Sequence, residues 1–506
     1  MRAPLDHDDL ERFKGILGAS LGLSFDDSKT QELADALSAR VRATRSSGAS
    51  SYLTHLESRE KSKEELRALA SLLSVGETSF FRYPAHFRAL AEVALPARMK
   101  AREEDRALRV LSAGCASGEE AYSIAILLSE QIGDADPWRV TIEAIDFNPD
   151  AIRRARDGRY ASWSLRETPP EILGRCFAPS GGSFLLEPRI REMVSFEERN
   201  LLDDGPAFWR PESFDIILCR NVIIYFSPEA IQTVISRLSR SLAIGGYLFM
   251  GHSETLRGLS NDFHLVHTHD AFYYQKRQAT AVVGIPAADS VLTRASFPRP
   301  ASPEPDVEDW PGGGPVAPVG GAANAGGHRA KEIPVSPAPS PDLSRATEMF
   351  RQERYGEALD LLRATPAETG ADPDALLLVA ASLAGGGELE ESERICRQVL
   401  ALDEMDAGAH YLLALCREQA GDMAGARHHS GAAAYLDPTF AMPHLQLGRL
   451  ARRAGQVEAA RRELGRALHL LAREDASRIL LFGGGFRRAA LAQACQSELR
   501  ACGGPP

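Results

Sequence analysis

The first residues with recognisable chemistry are a glycine-containing loop between an apolar segment and a helix. Ser112-Ala-Gly-Cys-Ala-Ser-Gly-Glu-Glu leads directly into Ala121-Tyr-Ser-Ile-Ala-Ile-Leu-Leu. Gly114 and Gly118 let a ligand approach the backbone at the carboxyl edge of a sheet, where open α/β folds bind ligands. The loop lacks both the Lys-Ser/Thr of a P-loop and the third glycine of a dinucleotide fingerprint, so the glycines alone are weak support.

A carboxylate at the end of the next predicted strand adds to this site. Val140-Thr-Ile-Glu-Ala-Ile ends at Asp146, where an acid can accept both hydroxyls of a ribose. The competing role for Asp146 is a helix N-cap ahead of Pro149. Because Glu119 and Glu120 open the preceding helix and no phosphate-binding element is present, a positively charged adenosine ligand is favoured over NAD. S-adenosylmethionine, with S-adenosylhomocysteine as its product, fits this description.

The elements that must position these residues alternate between strand and helix. Four apolar segments predict a doubly wound, mainly parallel sheet: Leu108-Arg-Val-Leu-Ser-Ala, Val140-Thr-Ile-Glu-Ala-Ile, Phe214-Asp-Ile-Ile-Leu-Cys and Tyr247-Leu-Phe-Met. In front of them, Leu10, Phe13, Leu17 and Leu21 have helical spacing. Residues 1–88 are therefore predicted to be helical.

A compositional break divides the chain. Residues 281–340 hold 11 of the 30 prolines together with Gly/Ala-rich runs, a composition that cannot bury a core. This stretch is predicted to be a disordered tether that spans on the order of 45 Å. The two halves of the protein are accordingly expected to move independently.

Beyond the tether the sequence repeats every 34 residues. One position of the repeat is always apolar: Tyr355, Leu389, Met423 and Val457. A second position, three residues later, is always small: Ala358, Ser392, Ala426 and Ala460. Gly387, Gly421 and Gly455 share the register and mark turns between helices. The pattern resembles three to four tetratricopeptide (TPR) repeats, which bind other proteins or peptides on a concave surface. A plain helical bundle is the alternative.

Bulk composition narrows the function classes. The 58 Lys+Arg and 69 Asp+Glu residues give a net charge of -11, which disfavours generic nucleic-acid binding. We expect a cytoplasmic protein without membrane insertion, because no signal peptide or span-length apolar stretch is present. The seven scattered cysteines predict reduced thiols. No metal is expected, because His252, His267 and His269 lack carboxylate or cysteine partners at ligand spacing.

Six sequence blocks together resemble the CheR family of chemoreceptor glutamate methyltransferases. The blocks are Gly76-Glu-Thr-Ser-Phe-Phe-Arg82, Gly114-Cys-Ala-Ser-Gly-Glu-Glu-Ala-Tyr-Ser, Ala155-Arg-Asp-Gly-Arg-Tyr, Asn200-Leu-Leu, Phe214-Asp-Ile-Ile-Leu-Cys-Arg-Asn-Val-Ile-Ile-Tyr-Phe226 and Gly251-His-Ser-Glu254. The resemblance covers residues 1–277. It implies transfer of a methyl group from S-adenosylmethionine to glutamates on the cytoplasmic helices of methyl-accepting chemotaxis-type receptors, and thereby adjustment of signalling.

The resemblance also implies site residues, carried over by motif. The implied cofactor contacts are Gly76, Thr78, Arg82, Gly114, Glu119, Asp146, Asn200, Leu201, Arg220, Asn221 and Val222. Gly76 departs from the family, because many members have an asparagine there that helps to hold the cofactor's amino-acid end.

The implied organisation is multi-domain. An all-α domain (1–88) precedes a Rossmann-like α/β methyltransferase domain (89–277) with a small antiparallel β insert (about 177–199). A Pro/Gly/Ala-rich linker (278–340), an α-solenoid of TPR repeats (341–475) and a capping helix with a tail (476–506) follow. The insert is about three residues shorter than in members that dock on a receptor's C-terminal pentapeptide. A recruitment role is therefore open for the repeats.

The chemistry needs few groups, because a glutamate carboxylate is ionised at neutral pH and requires no general base. Arg82 is the candidate cation for the incoming carboxylate, and an ordinary surface ion pair is its alternative role. Tyr225 is the candidate wall beside the methyl group, with core packing as its alternative. Arg42 and Arg45, three apart on a predicted helix, are candidates to meet an acidic receptor helix, or form a solvated face.

Two other functions compete with receptor methylation. A methyltransferase acting on nucleic acid or a small molecule would have a similar sheet and cofactor site. Nucleic-acid amino methylators usually carry Asp/Asn-Pro-Pro-Tyr/Phe where this chain has Cys219-Arg-Asn-Val-Ile-Ile-Tyr. An adaptor with a vestigial enzyme domain is the second alternative, and the intact cofactor motifs argue against it.

Overall fold

The first domain is a group of four helices. The computed structural model describes residues 6–25, 29–58, 62–74, 76–132, 138–252, 254–278, 341–352, 354–364, 372–484 and 486–503. The four helices are α1 (His7–Leu21), α2 (Thr30–Ala43), α3 (Ala49–Glu57) and α4 (Ser62–Leu73). Leu10, Phe13, Leu17 and Leu21 are all buried, because their helical spacing places them on one face of α1.

A second helical stretch, α5 (Pro84–Ala89), a π-helical turn (Leu90–Ala94) and α6 (Leu95–Ala101), leads to the α/β domain. Ten strands follow: β1 (Ala107–Ala113), β2 (Arg139–Asp146), β3 (Arg159–Tyr160), β4 (Phe177–Ser180), β5 (Ser183–Leu186), β6 (Val194–Glu198), β7 (Phe214–Cys219), β8 (Leu242–Met250), β9 (Phe263–Thr268) and β10 (Ala271–Lys276). The helices between them are α7 (Glu119–Gln131), α8 (Pro149–Asp157), α9 (Pro170–Cys176), α10 (Pro188–Glu192) and α11 (Pro228–Ser241).

The main sheet has seven strands in the order β6-β2-β1-β7-β8-β10-β9. The first five of these are parallel, and β9 and β10 form an antiparallel hairpin at the edge. Ala113 pairs with Ile145, so the carboxyl ends of β1 and β2 lie side by side. The predicted Rossmann-like domain is confirmed, and its sheet brings the loop after β1 next to Asp146.

The small antiparallel sheet differs at both ends from the insert predicted at about 177–199. Its order is β3-β5-β4, so it includes Arg159–Tyr160, well before residue 177. At the other end, β6 belongs to the main sheet and runs parallel to β2. Val194 and Phe196 are buried in the main sheet, where β6 contacts α7 and α8, and this burial explains the different assignment.

The C-terminal region is a series of helix pairs. The pairs are α12 (Pro341–Arg351) with α13 (Tyr355–Ala364), α14 (Pro373–Gly385) with α15 (Leu389–Leu402), α16 (Ala407–Gln419) with α17 (Met423–Leu436), and α18 (Ala441–Arg453) with α19 (Val457–Leu471). Gly387, Gly421 and Gly455 take positive φ angles of 83°, 83° and 74° in the turns, while Ala426 and Ala460 are fully buried. The predicted TPR-type solenoid is confirmed. Two helices follow rather than one, α20 (Ala476–Phe482) and α21 (Arg488–Ala501).

The repeats pack against the β9–β10 hairpin, which corrects the expectation of two independent halves. Phe272 of β10 stacks on Tyr435 of α17 with ring centroids 5.1 Å apart. Arg257 pairs with Asp437 at 3.0 Å. Complementary aromatic surfaces explain why the two regions meet although a long segment separates them in sequence. The predicted tether lies outside the described residues, apart from Gln278.

None of the helices in the described ranges has the length and apolar content to cross a bilayer. All seven cysteines are buried free thiols.

Candidate cofactor and active site

A cleft opens where the loops after β1, β2 and β7 meet the N-terminal helices, and nearly all of the predicted site residues line it. These residues are Gly76, Thr78, Arg82, Gly114, Asp146, Asn200, Leu201, Arg220, Asn221, Val222 and Tyr225. The location is the one that an open parallel sheet provides for ligands.

Glu119 is the predicted residue that the structure places elsewhere. Its buried carboxylate accepts a hydrogen bond from Ser117 Oγ at 2.8 Å, outside the cleft lining. Glu120 lines the cleft instead, accepts from Ser112 Oγ at 2.8 Å and pairs with Arg220 at 3.2 Å. Successive helical residues point about 100° apart, so one of the two glutamates faces the cleft and the other does not.

Asp146 organises the loop after β1. Its Oδ2 accepts the Ala116 N–H and its Oδ1 the Asn148 N–H, both at 2.9 Å. The N-cap of α8 is Asn148, whose side chain accepts from Asp150 and Ala151, so the N-cap alternative for Asp146 is wrong. Burial raises the pKa of Asp146, and both of its oxygens retain acceptor capacity for a ligand.

Gly114 is required by the close approach of Val222. Gly114 has a φ of +77°, and a Cβ on it would lie 2.4 Å from Val222 Cγ2. The loop after β1 therefore packs directly on the loop after β7. Gly76, in contrast, has open space, because a Cβ there would meet only Arg154 Nη2 at 3.9 Å.

Arg220 is a buried cation in the cleft wall. It pairs with Glu120, donates to the backbone carbonyl of Arg82, and lies over the rings of Tyr83 and Phe87 at 5.2 and 5.4 Å. Burial lowers the pKa of Arg220 and raises that of Glu120. The Arg220 Nε is buried and has no hydrogen-bond partner in the described structure.

Glu254 is a functional residue that sequence reasoning missed, although it ends one of the six blocks. Its buried carboxylate accepts four backbone N–H groups: Gly251 and Asn221 at 2.6 Å, Val222 at 2.8 Å and Ile223 at 2.9 Å. Asn221 takes a left-handed φ of 59°. Glu254 thus holds the loop after β7 in a strained conformation that places Asn221 and Val222 at the cleft.

The N-terminal domain closes one side of the cleft, which sequence reasoning also missed. Leu23, Ser24, Phe25 and Lys29 belong to the lining. Ser24 N–H donates to the Tyr225 carbonyl at 2.8 Å, and Lys29 Nζ lies 5.2 Å from the centre of the Tyr225 ring. The sequence predicts the helical domain but contains no local motif that marks these four residues as part of the cleft.

The remaining predicted residues have identified neighbours, and their roles stay predictions. Asn200 Nδ2 donates to the Ser20 carbonyl at 3.1 Å, which joins its loop to α1. Arg82 Nη1 donates to the Glu77 carbonyl at 2.9 Å rather than forming a helix-start ion pair. Tyr225 is partly buried, and this burial raises its pKa.

Two further sequence hypotheses concern residues outside the cleft. Arg42 lies in α2, but Arg45 follows the helix with a φ of 55°, so the two arginines do not share a helical face. His267 contacts His428 at 2.8 Å and His269 contacts Glu92 at 3.0 Å. The described residues contain no group of three or more ligands with metal-binding geometry.

The cleft fits S-adenosylmethionine. A buried acid with spare acceptor capacity, Asp146, suits the ribose hydroxyls. Arg220, a buried cation on the cleft lining, suits the carboxylate of the amino-acid end. The wall therefore offers opposite charges for a ligand that carries both.

Known proteins match this chain over the same region. The family model described as CheR methyltransferase, SAM binding domain, matches residues 76–272. Chemotaxis protein methyltransferase 2 of Vibrio cholerae is 31% identical over 258 residues, which cover 51% of this chain and 88% of that protein. The probable biofilm formation methyltransferase WspC of Pseudomonas putida is 27% identical over 459 residues, which cover 90% of this chain and 97% of that protein.

A third relative is an uncharacterized 104.1 kDa protein of Rhodobacter capsulatus, 33% identical over 298 residues. The match covers 59% of this chain, and the chain spans 30% of that protein's length. Taken with the cleft geometry, these similarities show that the chain belongs to the CheR methyltransferase family and uses S-adenosylmethionine as its cofactor.

Proposed function

We propose that the protein methylates glutamate carboxylates on the cytoplasmic helices of a methyl-accepting chemotaxis-type receptor. The observation that carries the proposal is a cation, Arg82, on the lining of the cofactor cleft. A glutamate is ionised at neutral pH, so it needs a partner of opposite charge more than a base. The similarity to proteins named chemotaxis methyltransferases supports this substrate.

The side chains of the cleft favour positioning over covalent catalysis. Cys115 lines the cleft, but burial raises its pKa well above the ordinary value, which keeps the thiol neutral and a poor nucleophile. Bound S-adenosylmethionine supplies a sulfonium methyl group, and its transfer to a carboxylate oxygen leaves a neutral thioether. Arg82 pairs with the incoming carboxylate, Tyr225 excludes water beside it, and Asp146 holds the ribose.

The repeats have a separate role in this proposal. A solenoid of helix pairs offers a concave surface for a protein or peptide, and the short β4–β5 hairpin leaves recruitment to another region. We assign recruitment of the receptor, or of a protein bound to it, to this surface.

The test uses the full-length protein, methyl-labelled S-adenosylmethionine and a purified receptor cytoplasmic fragment. The expected label is alkali-labile, as a carboxyl ester requires, and it disappears when the candidate receptor glutamates are replaced by glutamine. Base-stable label on nucleic acid, with none on receptor, would contradict the proposal. Calorimetry with S-adenosylhomocysteine tests the adaptor alternative, which requires that no binding be measurable.

Arg82→Ala tests the substrate cation. Losing a charge pair to the carboxylate should lower turnover on receptor by about 100-fold. Arg88→Ala is the matched control, because Arg88 is an exposed arginine of the neighbouring helix α5 and is outside the cleft lining. Equal activity of the two variants would remove Arg82 from the mechanism.

A further inference from the structure

The repeats contact the catalytic domain at one aromatic side chain of β10, Phe272. Phe272 stacks on Tyr435 with an interplanar angle of 16°, and on His267, its cross-strand partner, with ring centroids 4.1 Å apart. Gly431 lies one helical turn before Tyr435, and a Cβ there would be 3.4 Å from Phe272 Cζ. Gly431 and Tyr435 therefore form a socket in α17 that accepts Phe272.

Polar contacts surround the socket. Arg277 and His264 both contact Glu404 Oε2, at 3.0 and 2.8 Å. Arg257 pairs with Asp437, two residues after Tyr435 in the chain. The contacts come from several separate segments of the catalytic domain, so the repeats are seated in one defined orientation.

Tyr274 connects the socket to the residues that follow Glu254. Tyr435 packs on Tyr274 with ring centroids 6.1 Å apart. The Tyr274 hydroxyl accepts the Leu256 N–H at 3.1 Å and donates to Thr255 Oγ1 at 3.3 Å. Leu256 and Thr255 follow Glu254, the carboxylate that binds the backbone of Asn221 and Val222.

We infer that the docked repeats are a working part of the cofactor site, with Tyr435 as a positioning residue that acts through Tyr274 and Glu254. Tyr435 fixes the Tyr274 ring, the Tyr274 hydroxyl fixes residues 255–256, and these orient Glu254 toward the loop after β7. Because that loop is strained at Asn221, it relaxes when Glu254 is displaced. This role of the repeats concerns the affinity for the cofactor, so it is separate from the choice of receptor substrate and from recruitment.

The test separates docking from the stability of the repeats. Gly431→Leu fills the socket and blocks Phe272, while leucine raises helix propensity and so preserves α17. Gly465→Leu is the matched control: Gly465 is exposed in helix α19 of the following helix pair, and a Cβ there meets nothing within 4 Å. Both full-length variants are measured by small-angle X-ray scattering and by calorimetry with S-adenosylhomocysteine.

The expected result for Gly431→Leu is a larger radius of gyration and about tenfold weaker S-adenosylhomocysteine binding. Gly465→Leu should behave as the unaltered protein. Tyr435→Phe, which keeps the stacked ring, should retain affinity, whereas Tyr435→Ala should lose it to the same extent as Gly431→Leu. Expansion of Gly431→Leu with unchanged affinity would overturn the positioning role, and no change in either quantity would overturn the interface.

Neither readout involves a receptor. If the coupling is found but no receptor is methylated, the proposed substrate fails while this inference stands. If Gly431→Leu methylates the receptor at the same rate as the unaltered protein and binds S-adenosylhomocysteine with unchanged affinity, this inference fails while the proposed substrate stands.

Discussion

The cofactor cleft and the interface with the repeats bury polar groups in opposite ways. In the cleft the buried groups carry charge, as Asp146, Arg220 and Glu254 do, and their exposed fractions are 9%, 6% and 2%. At the interface the ring of Tyr435 is buried, whereas Arg257 and Asp437 keep 23% and 18% of their side-chain surface exposed.

The difference reflects what each region binds. Burying a charge costs free energy unless hydrogen bonds or opposite charges satisfy it. In the cleft the buried charges have such partners, and they bind a charged ligand and hold the loops that line it. The interface joins stacked aromatic rings, and the ion pairs beside them stay partly exposed to solvent. We therefore expect isosteric changes to damage the cleft, and protonation to damage the interface.

Asp146→Asn should have the largest effect. The amide keeps the shape but places N–H groups against the Ala116 or Asn148 N–H, which costs roughly 3 kcal/mol and weakens S-adenosylhomocysteine binding by about 100-fold. Calorimetry measures the loss. Asp150→Asn is the control, because Asp150 lies in the adjacent helix α8, keeps 44% of its side-chain surface exposed and pairs with Arg153. Similar affinities for the two variants would show that the cleft does not depend on this buried charge.

Gly114→Ala should have the next largest effect. The clash with Val222 and the positive φ together predict a destabilisation of about 1–3 kcal/mol, measured by thermal unfolding, with weaker cofactor binding. Gly76→Ala adds the same methyl group to open space and should stay within about 0.5 kcal/mol. If both glycines tolerate alanine, the close approach of the two loops is not required.

Acidification should loosen the interface. Desolvation, together with the charge of His428, lowers the pKa of His267 to about 4, and desolvation also lowers that of His428. Exposed histidines titrate near 6.5, so the undocked state binds more protons below that pH. Docking should weaken as pH falls from about 6.5 toward 4 and should not change above about 7.

Asp270 opposes this effect at His267. Scattering measured across this pH range reports the change as a rise in radius of gyration. His267→Gln should flatten the response. A constant radius down to pH 5 would contradict the neutral-histidine interface.

Gly76→Asn should have the smallest effect and the opposite sign. The open space at Gly76 admits a side chain, and one added hydrogen bond to the cofactor should tighten S-adenosylhomocysteine binding by about three- to tenfold. Gly76→Ala separates the amide from the backbone change. An affinity no better than that of Gly76→Ala would mean that this part of the cleft is already satisfied.

The sequence alone determined the elements and most of the cleft. The alternation of strands and helices, the 34-residue period and the residues at strand ends are local patterns, and local patterns carry helix phase, turns and loop chemistry. Gly114, Asp146 and Asn221 were predictable because the carboxyl ends of parallel strands must meet at one edge.

Only the tertiary structure decided which side chains face the ligand and which surfaces meet. Glu119 and Glu120 are equivalent in sequence, and the packing of α7 turns one toward the cleft. Glu254 acts on a loop that is distant in the chain, and Phe272 and Tyr435 have no local signal that marks them as partners. Their roles depend on long-range packing, which sums many weak contacts that no short stretch of sequence contains.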